Sequence, residues 1–219
     1  MRTDSNRKKK IALVVYPEFS FQEIADLCRL FRWNYDSMTV VFSSSKEPVR
    51  SEEGFVVLPE KTFDEFSKED YDCLILPGCS DLRAPLADEK LKTFLERFRD
   101  EKEFVIGAIC SGPIFLAQAG LLKGRKFTAS LYMEMYERFR SIEQDNVVFE
   151  SIVEDGNIIT ATGDAFALFA IAIARKLGYD CPDKLCDGMG KPDPSEQDYR
   201  SYLPEEGLKE MEEAFGQYF

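Results

Sequence analysis

The strongest chemical signal in the chain is a run of small residues around one cysteine, Gly107-Ala108-Ile109-Cys110-Ser111-Gly112-Pro113. The apolar segment Phe104–Ile109 has strand character and stops at the cysteine, while Pro113 suits the first turn of a helix. Cys110 is therefore expected on a sharp strand-to-helix bend, a nucleophile elbow, with small neighbours that permit it. The positive end of the following helix favours negative charge and so a thiolate. Backbone N–H groups on the same turn can hold an oxyanion. The competing reading is that Cys110 is a small buried apolar residue, as free cysteines often are. Gly107 and Gly112 have the spacing of a phosphate loop, but Pro113 stands where the lysine is required, which excludes one.

The rest of the composition narrows the chemistry. The 219-residue sequence contains no histidine, which removes imidazole-dependent zinc sites and every Ser-His or Cys-His catalytic pair. Forty acidic against 28 basic residues give a formal charge of −12. That charge argues against nucleic acid and anionic membranes as partners. The six cysteines (28, 73, 79, 110, 181 and 186) are scattered in a chain without a signal-type apolar run, so reduced thiols and a cytoplasmic location are expected. Cys181 and Cys186 sit in an Asp-rich stretch, too few ligands for a metal site. No cofactor or metal is called for.

Apolar runs of four to seven residues alternate with helical periodicity, and they are the elements that must position Cys110. Ile11–Tyr16 reads as a buried parallel strand, followed by a helix through Phe21, Ile24, Leu27, Cys28 and Phe31. Met38–Phe42 and Asp72–Leu76 are further strands, the latter ending at Pro77-Gly78. A helix runs from Asp88 through Leu91, Phe94, Leu95 and Phe98. Phe104–Leu122, 19 residues without a charge, has the length of a membrane span. Ser111-Gly112-Pro113 divides it into strand, turn and helix. Val147–Glu154 and Ile158–Ala161 form a hairpin about Asp155-Gly156-Asn157. Ala165–Leu177 is an apolar helix ending at Gly178, with Phe166, Phe169, Ala170 and Ile173 in the core. Cys181–Arg200 reads as loop and Leu203–Phe215 as a terminal helix. Glu52-Glu53 and the other acidic pairs read as solvated faces, and Trp33 as a packing or dimer contact. The organisation expected is a basic disordered tail over 1–10, an α/β domain over 11–180 with a mostly parallel sheet, and an extension over 181–219 packed on that domain. In such sheets ligands sit beyond the carboxyl ends of the strands.

Ala108–Pro113, followed by Ala119-Gly120-Leu121-Leu122-Lys123-Gly124-Arg125-Lys126, resembles the signature of the ThiJ/PfpI family. Ile11–Tyr16 with Glu23, Leu76-Pro77-Gly78 and Gly156–Thr160 fall in that family's order, so the resemblance spans about residues 10 to 178. It implies a flavodoxin-like three-layer α/β/α sandwich of the class I glutamine amidotransferase-like kind, usually a homodimer. By resemblance, Cys110 is the reactive cysteine and Glu23 the acidic residue hydrogen-bonded to it. The backbone N–H groups of Cys79 and Ser111 are the oxyanion donors, with Gly78 and Ser130 as secondary candidates.

The chain departs from the family pattern in two respects. Members that carry a histidine have it at the position of Ser130 or of Ser111, and neither is histidine here. A peptidase-type triad is therefore not available. Chemistry needing a thiolate and one carboxyl survives: hydration, glyoxalase-like or deglycase-like reactions of small electrophiles such as reactive carbonyls. The alternative is a non-catalytic redox-sensing or regulatory stress protein using the same cysteine. Cys79 replaces a common glycine, and if its sulfur meets that of Cys110 within disulfide geometry it can resolve a sulfenic acid there.

Overall fold

The computed structural model describes residues 8–185 and 204–215. Two units separate by contacts, Met1–Leu185 and Cys186–Phe219. The first holds a seven-stranded sheet in the order β5-β2-β1-β6-β7-β9-β8. Its strands are β1 (Lys10–Val14), β2 (Met38–Ser43), β5 (Lys61–Thr62), β6 (Cys73–Leu76), β7 (Val105–Ile109), β8 (Ile152–Asp155) and β9 (Ile158–Ala161). Every pairing is parallel except β8 with β9. All residues of β6 and β7 are buried, as both-face burial of a central parallel strand demands.

Helices cover both faces. On one, α1 (Gln22–Asn34) packs against α6 (Phe166–Lys176), which also lies over β7 and β9. On the other, α3 (Glu89–Glu96) meets α4 (Pro113–Gln118), which follows Cys110 and rests on β7. The carboxylate of Asp88 accepts the N–H groups of Lys90 and Leu91 and so caps α3. Phe169, Ala170 and Ile173 are buried in α6, as expected, whereas Phe166, at its first turn, is only half-buried against the core. The chain thus folds as a flavodoxin-like α/β/α sandwich, and no helix among the described residues is long and apolar enough to cross a membrane. Phe104–Leu122 resolves into strand, elbow and helix.

Several elements went unread in the sequence because they are too short to show a period. They include a hairpin of β3 (Val49–Arg50) and β4 (Val56–Val57), the two-residue β5, and the helices α2 (Arg83–Leu86) and α5 (Met133–Arg138). Glu52 and Glu53 are exposed in the turn of this hairpin, as read, and the Glu53 carboxylate has an added role: it accepts the N–H groups of Phe21 and Gln22 and caps α1. Trp33 is 79% exposed, so of its two expected roles packing is not met among the described residues. The strand read from Val147 begins only at Ile152. In the second unit α7 spans Glu205–Phe215. The expectations for residues 1–7 and 186–203, Cys186 included, lie outside the described residues.

Candidate active site at the cysteine elbow

The turns that follow four parallel strands meet at one edge of the sheet. After β1 comes Glu23, in the first turn of α1. After β6 comes Pro77-Gly78-Cys79, after β7 Cys110, and after β9 Thr162-Gly163. Because β7 lies between β6 and β9, Cys110 rises between the Gly78 and Gly163 turns. A Cβ on Gly78 would stand 2.7 Å from Cys110 Cβ and 3.0 Å from both Cys110 Sγ and Glu23 Oε2. One on Gly163 would stand 3.0 Å from the sulfur and 3.3 Å from Glu23 Oε1. The two glycines are the walls of the site, and only the absence of side chains lets them close so tightly.

Cys110 adopts φ 59°, the left-handed region that non-glycine residues enter at a cost. Its N–H donates to Ala161 O at 2.9 Å, and its carbonyl accepts the Ser130 N–H at 2.8 Å. Both backbone groups are pinned, which holds the strained conformation at the bend between β7 and α4.

Glu23 is 7% exposed. Its Oε2 accepts the Gly78 N–H at 2.6 Å, and its carboxyl shares a hydrogen bond with the Cys110 thiol. Burial pushes the carboxyl up to about 7; the hydrogen bonds from Cys110 and Gly78 oppose this, and the charges of Glu52 and Glu53 add to it. Burial, and then the Glu23 charge, also push the Cys110 thiol well above its ordinary value, against the Ser111 N–H that favours the thiolate. The thiolate expected from the helix terminus is therefore outweighed: α4 is only six residues long, and low dielectric with a carboxylate neighbour penalises a second charge. Above about pH 7 the pair carries one negative charge, and the raised thiol leaves it on the carboxyl.

The oxyanion side differs from expectation in one respect. The Cys79 N–H is already donated to Ser111 Oγ at 2.9 Å, and that hydroxyl donates on to Cys79 O at 3.3 Å. The Ser111 N–H faces the Cys110 sulfur. Ser130 Oγ accepts the Gly163 N–H at 2.9 Å, so the residue standing where the resemblance allows a histidine ties one wall of the elbow in place. The Cys79 sulfur donates to Asp81 O at 3.5 Å, and burial pushes its thiol up to about 12. Cys79, Ser111 and Ser130 line a cleft of about 610 Å³ together with Arg83, Tyr132 and Met135. Arg83 is paired with Asp81 at 2.6 Å.

Two contributors were missed in the sequence. Gly163 lies just past Ala161, in the region that strand-end logic marks, but no motif singles it out. Tyr16, expected at the end of the first strand, lies two residues past β1; it is buried, and its hydroxyl donates to Pro77 O.

Comparison with known proteins agrees with this architecture. The family model described as the DJ-1/PfpI family matches residues 9–176. The chain is 29% identical over 187 residues to protein DJ-1alpha of Drosophila melanogaster, covering 81% of this chain and 82% of that one. It is 27% identical over 157 residues to protein/nucleic acid deglycase 2 of Escherichia coli, covering 67% and 91%. A DJ-1 superfamily protein from Agrobacterium tumefaciens superposes with a TM-score of 0.67 at 22% identity, covering 96% of this chain and all of that one.

Proposed function

The chain belongs to the DJ-1/PfpI family, and from that membership and the elbow geometry we propose that it is a thiol-dependent enzyme acting on small reactive carbonyls. The observation that carries the proposal is the hydrogen-bonded Cys110–Glu23 pair, walled by two glycines on a strained turn. A carboxyl whose affinity for protons is centred near 7 can both take and return one at neutral pH. As the Cys110 sulfur adds to the carbonyl carbon, its proton passes to the Glu23 carboxylate. The carbonyl π pair moves to oxygen, and Glu23 returns the proton there, leaving a neutral hemithioacetal. The Ser111 N–H stands beside the forming bond, and the Cys79–Ser111 hydroxyl arrangement borders the developing charge. With a 2-oxoaldehyde, uptake of one water overall gives a 2-hydroxy acid. The deglycase name of the E. coli relative supports a reaction of this carbonyl class. Amide hydrolysis is not proposed, since no histidine is present to protonate an amine leaving group.

A second reading, a redox sensor that turns nothing over, is supported by Cys79, a second thiol on the turn that walls the elbow. We propose in either case a homodimer, the usual state in this family. The exposed Phe21, Phe55, Val56 and Leu58 beside an apolar cavity of about 280 Å³ provide a face for a second copy. Consumption of methylglyoxal with formation of a 2-hydroxy acid tests the enzyme reading. It should be lost in both Cys110→Ser and Glu23→Gln. Absence of turnover in the wild type, with peroxide-dependent mass gain at Cys110, would replace the enzyme by the sensor.

A further inference from the structure

Tyr16 and Glu23 hydrogen-bond to opposite ends of one peptide group. The Tyr16 hydroxyl donates to the carbonyl of Pro77, and the N–H of the same amide, that of Gly78, donates to Glu23 Oε2 at 2.6 Å. A donor on the carbonyl draws electron density toward oxygen and makes the N–H of that amide a stronger donor. We propose that Tyr16 is a positioning residue that strengthens, through the Pro77–Gly78 peptide, the hydrogen bond holding Glu23 as a carboxylate beside Cys110. The inference rests on the reading of Glu23 as the acid–base partner of Cys110.

The surroundings favour this relay. The Tyr16 ring is fixed edge-on against Phe115 of α4, centroids 4.8 Å apart. Burial, with the charges of Cys79, Glu23 and Cys110, holds the phenol well above its ordinary value, so it remains a donor. The same turn is stapled to the loop before α1: Ser20 N–H donates to Gly78 O at 2.8 Å and Ser80 N–H to Glu18 O at 3.1 Å. Movement of the turn therefore moves Glu23. The ionisable groups acting on Glu23 are Cys110, Glu52 and Glu53, and those on which Glu23 acts include Tyr16 and Cys79. Among these, Tyr16 alone addresses the carboxyl through the peptide that binds it.

The test is the pH dependence of iodoacetamide alkylation at Cys110, followed by peptide mass spectrometry in the full chain. The wild-type rate should rise through an inflection near pH 7 that vanishes in Glu23→Gln. Tyr16→Phe should raise that inflection by about 0.2 to 0.5 pH unit, because a weaker Gly78 donor favours the protonated carboxyl. Site-specific 3-fluorotyrosine at position 16, a stronger donor of nearly the same shape, should lower it, and this carries the test if Tyr16→Phe fails to fold. An inflection lost in Glu23→Gln yet unmoved by either change at position 16 overturns the relay alone, even if Tyr16→Phe is less stable. An inflection that persists in Glu23→Gln overturns both the relay and the pairing of Glu23 with Cys110.

Discussion

If the elbow is strained, glycine should be better tolerated at position 110 than at an ordinary position of the same strand. Cys110 has φ 59°, and for a residue with a Cβ the left-handed region costs roughly 1–2 kcal/mol. Cys110→Ala keeps that cost, whereas Cys110→Gly removes it. Both variants lack the sulfur, so the loss of Glu23's hydrogen-bonding partner cancels between them. Two terms oppose glycine: about 0.5–1 kcal/mol of backbone entropy and about 0.8 kcal/mol for the lost carbon. The balance leaves Cys110→Gly within about 0.5 kcal/mol of Cys110→Ala. Ala108, fully buried two residues earlier in β7 and without positive φ, has no strain to relieve. There Ala108→Gly should cost about 1.5 kcal/mol. At roughly 2–4 °C per kcal/mol for a domain of this size, the second pair should differ by about 3–6 °C and the first by less than about 2 °C. Thermal unfolding followed by circular dichroism, checked by urea denaturation, measures both. Equal losses in the two pairs would mean that the turn stores no strain.

Gly78→Ala should abolish alkylation at Cys110 and cost about 1–3 kcal/mol, because its Cβ would meet Cys110 Cβ at 2.7 Å. Gly163→Ala, whose nearest contact is 3.0 Å, should be milder by both measures, and the reverse order would show that the walls are misassigned. Glu23 rises from 4.5 to about 7 on folding, so between those values the native state binds more protons than the unfolded chain and stability falls as pH rises. Unfolding free energies from urea denaturation should therefore drop from pH 4.5 to 7 by up to about 3 kcal/mol relative to Glu23→Gln, and parallel profiles would contradict this. Glu53→Ala removes the carboxylate that accepts the Phe21 and Gln22 N–H groups. It should lower stability by about 1 kcal/mol, and a neutral result in the same urea assay would rule out the cap.

The elbow was legible because it is local: an apolar strand, a cysteine, two small residues and a proline encode a strand-to-helix bend whatever the rest of the chain does. The long apolar strands and α6 were legible for the same reason, since burial on both faces leaves an unbroken run. Gly163 and Tyr16 were not, because their roles exist only once β6, β7 and β9 are laid side by side in that order. Glu53 is solvated as its sequence implies, but its capping role was not legible, because a cap supplied by a hairpin some thirty residues away leaves no spacing to recognise. The helix-terminus argument for a thiolate failed on magnitude rather than direction. The Ser111 N–H does favour the charged sulfur, but burial and the Glu23 carboxylate oppose it more strongly.

That failure bears on how a chain without histidine can run thiol chemistry. In a Cys-His pair the ion pair is neutral overall, and its imidazolium lowers the thiol. Here the partner is acidic, so the pair can hold a stable single charge only if the carboxyl is raised toward neutrality. Burial does this, with Glu52 and Glu53 adding to it. The same low dielectric would leave Glu23 protonated and idle if nothing opposed it. The Cys110 thiol and then the Gly78 N–H, at 2.6 Å, supply that opposition, and the strength of the Gly78 bond is open to adjustment from the far side of its own peptide. A carboxyl poised near 7 is thus the resultant of burial pushing up and the hydrogen bonds from Cys110 and Gly78 pulling down, which makes the Pro77–Gly78 amide a part of the acid–base group along with the thiol and the side chain it holds.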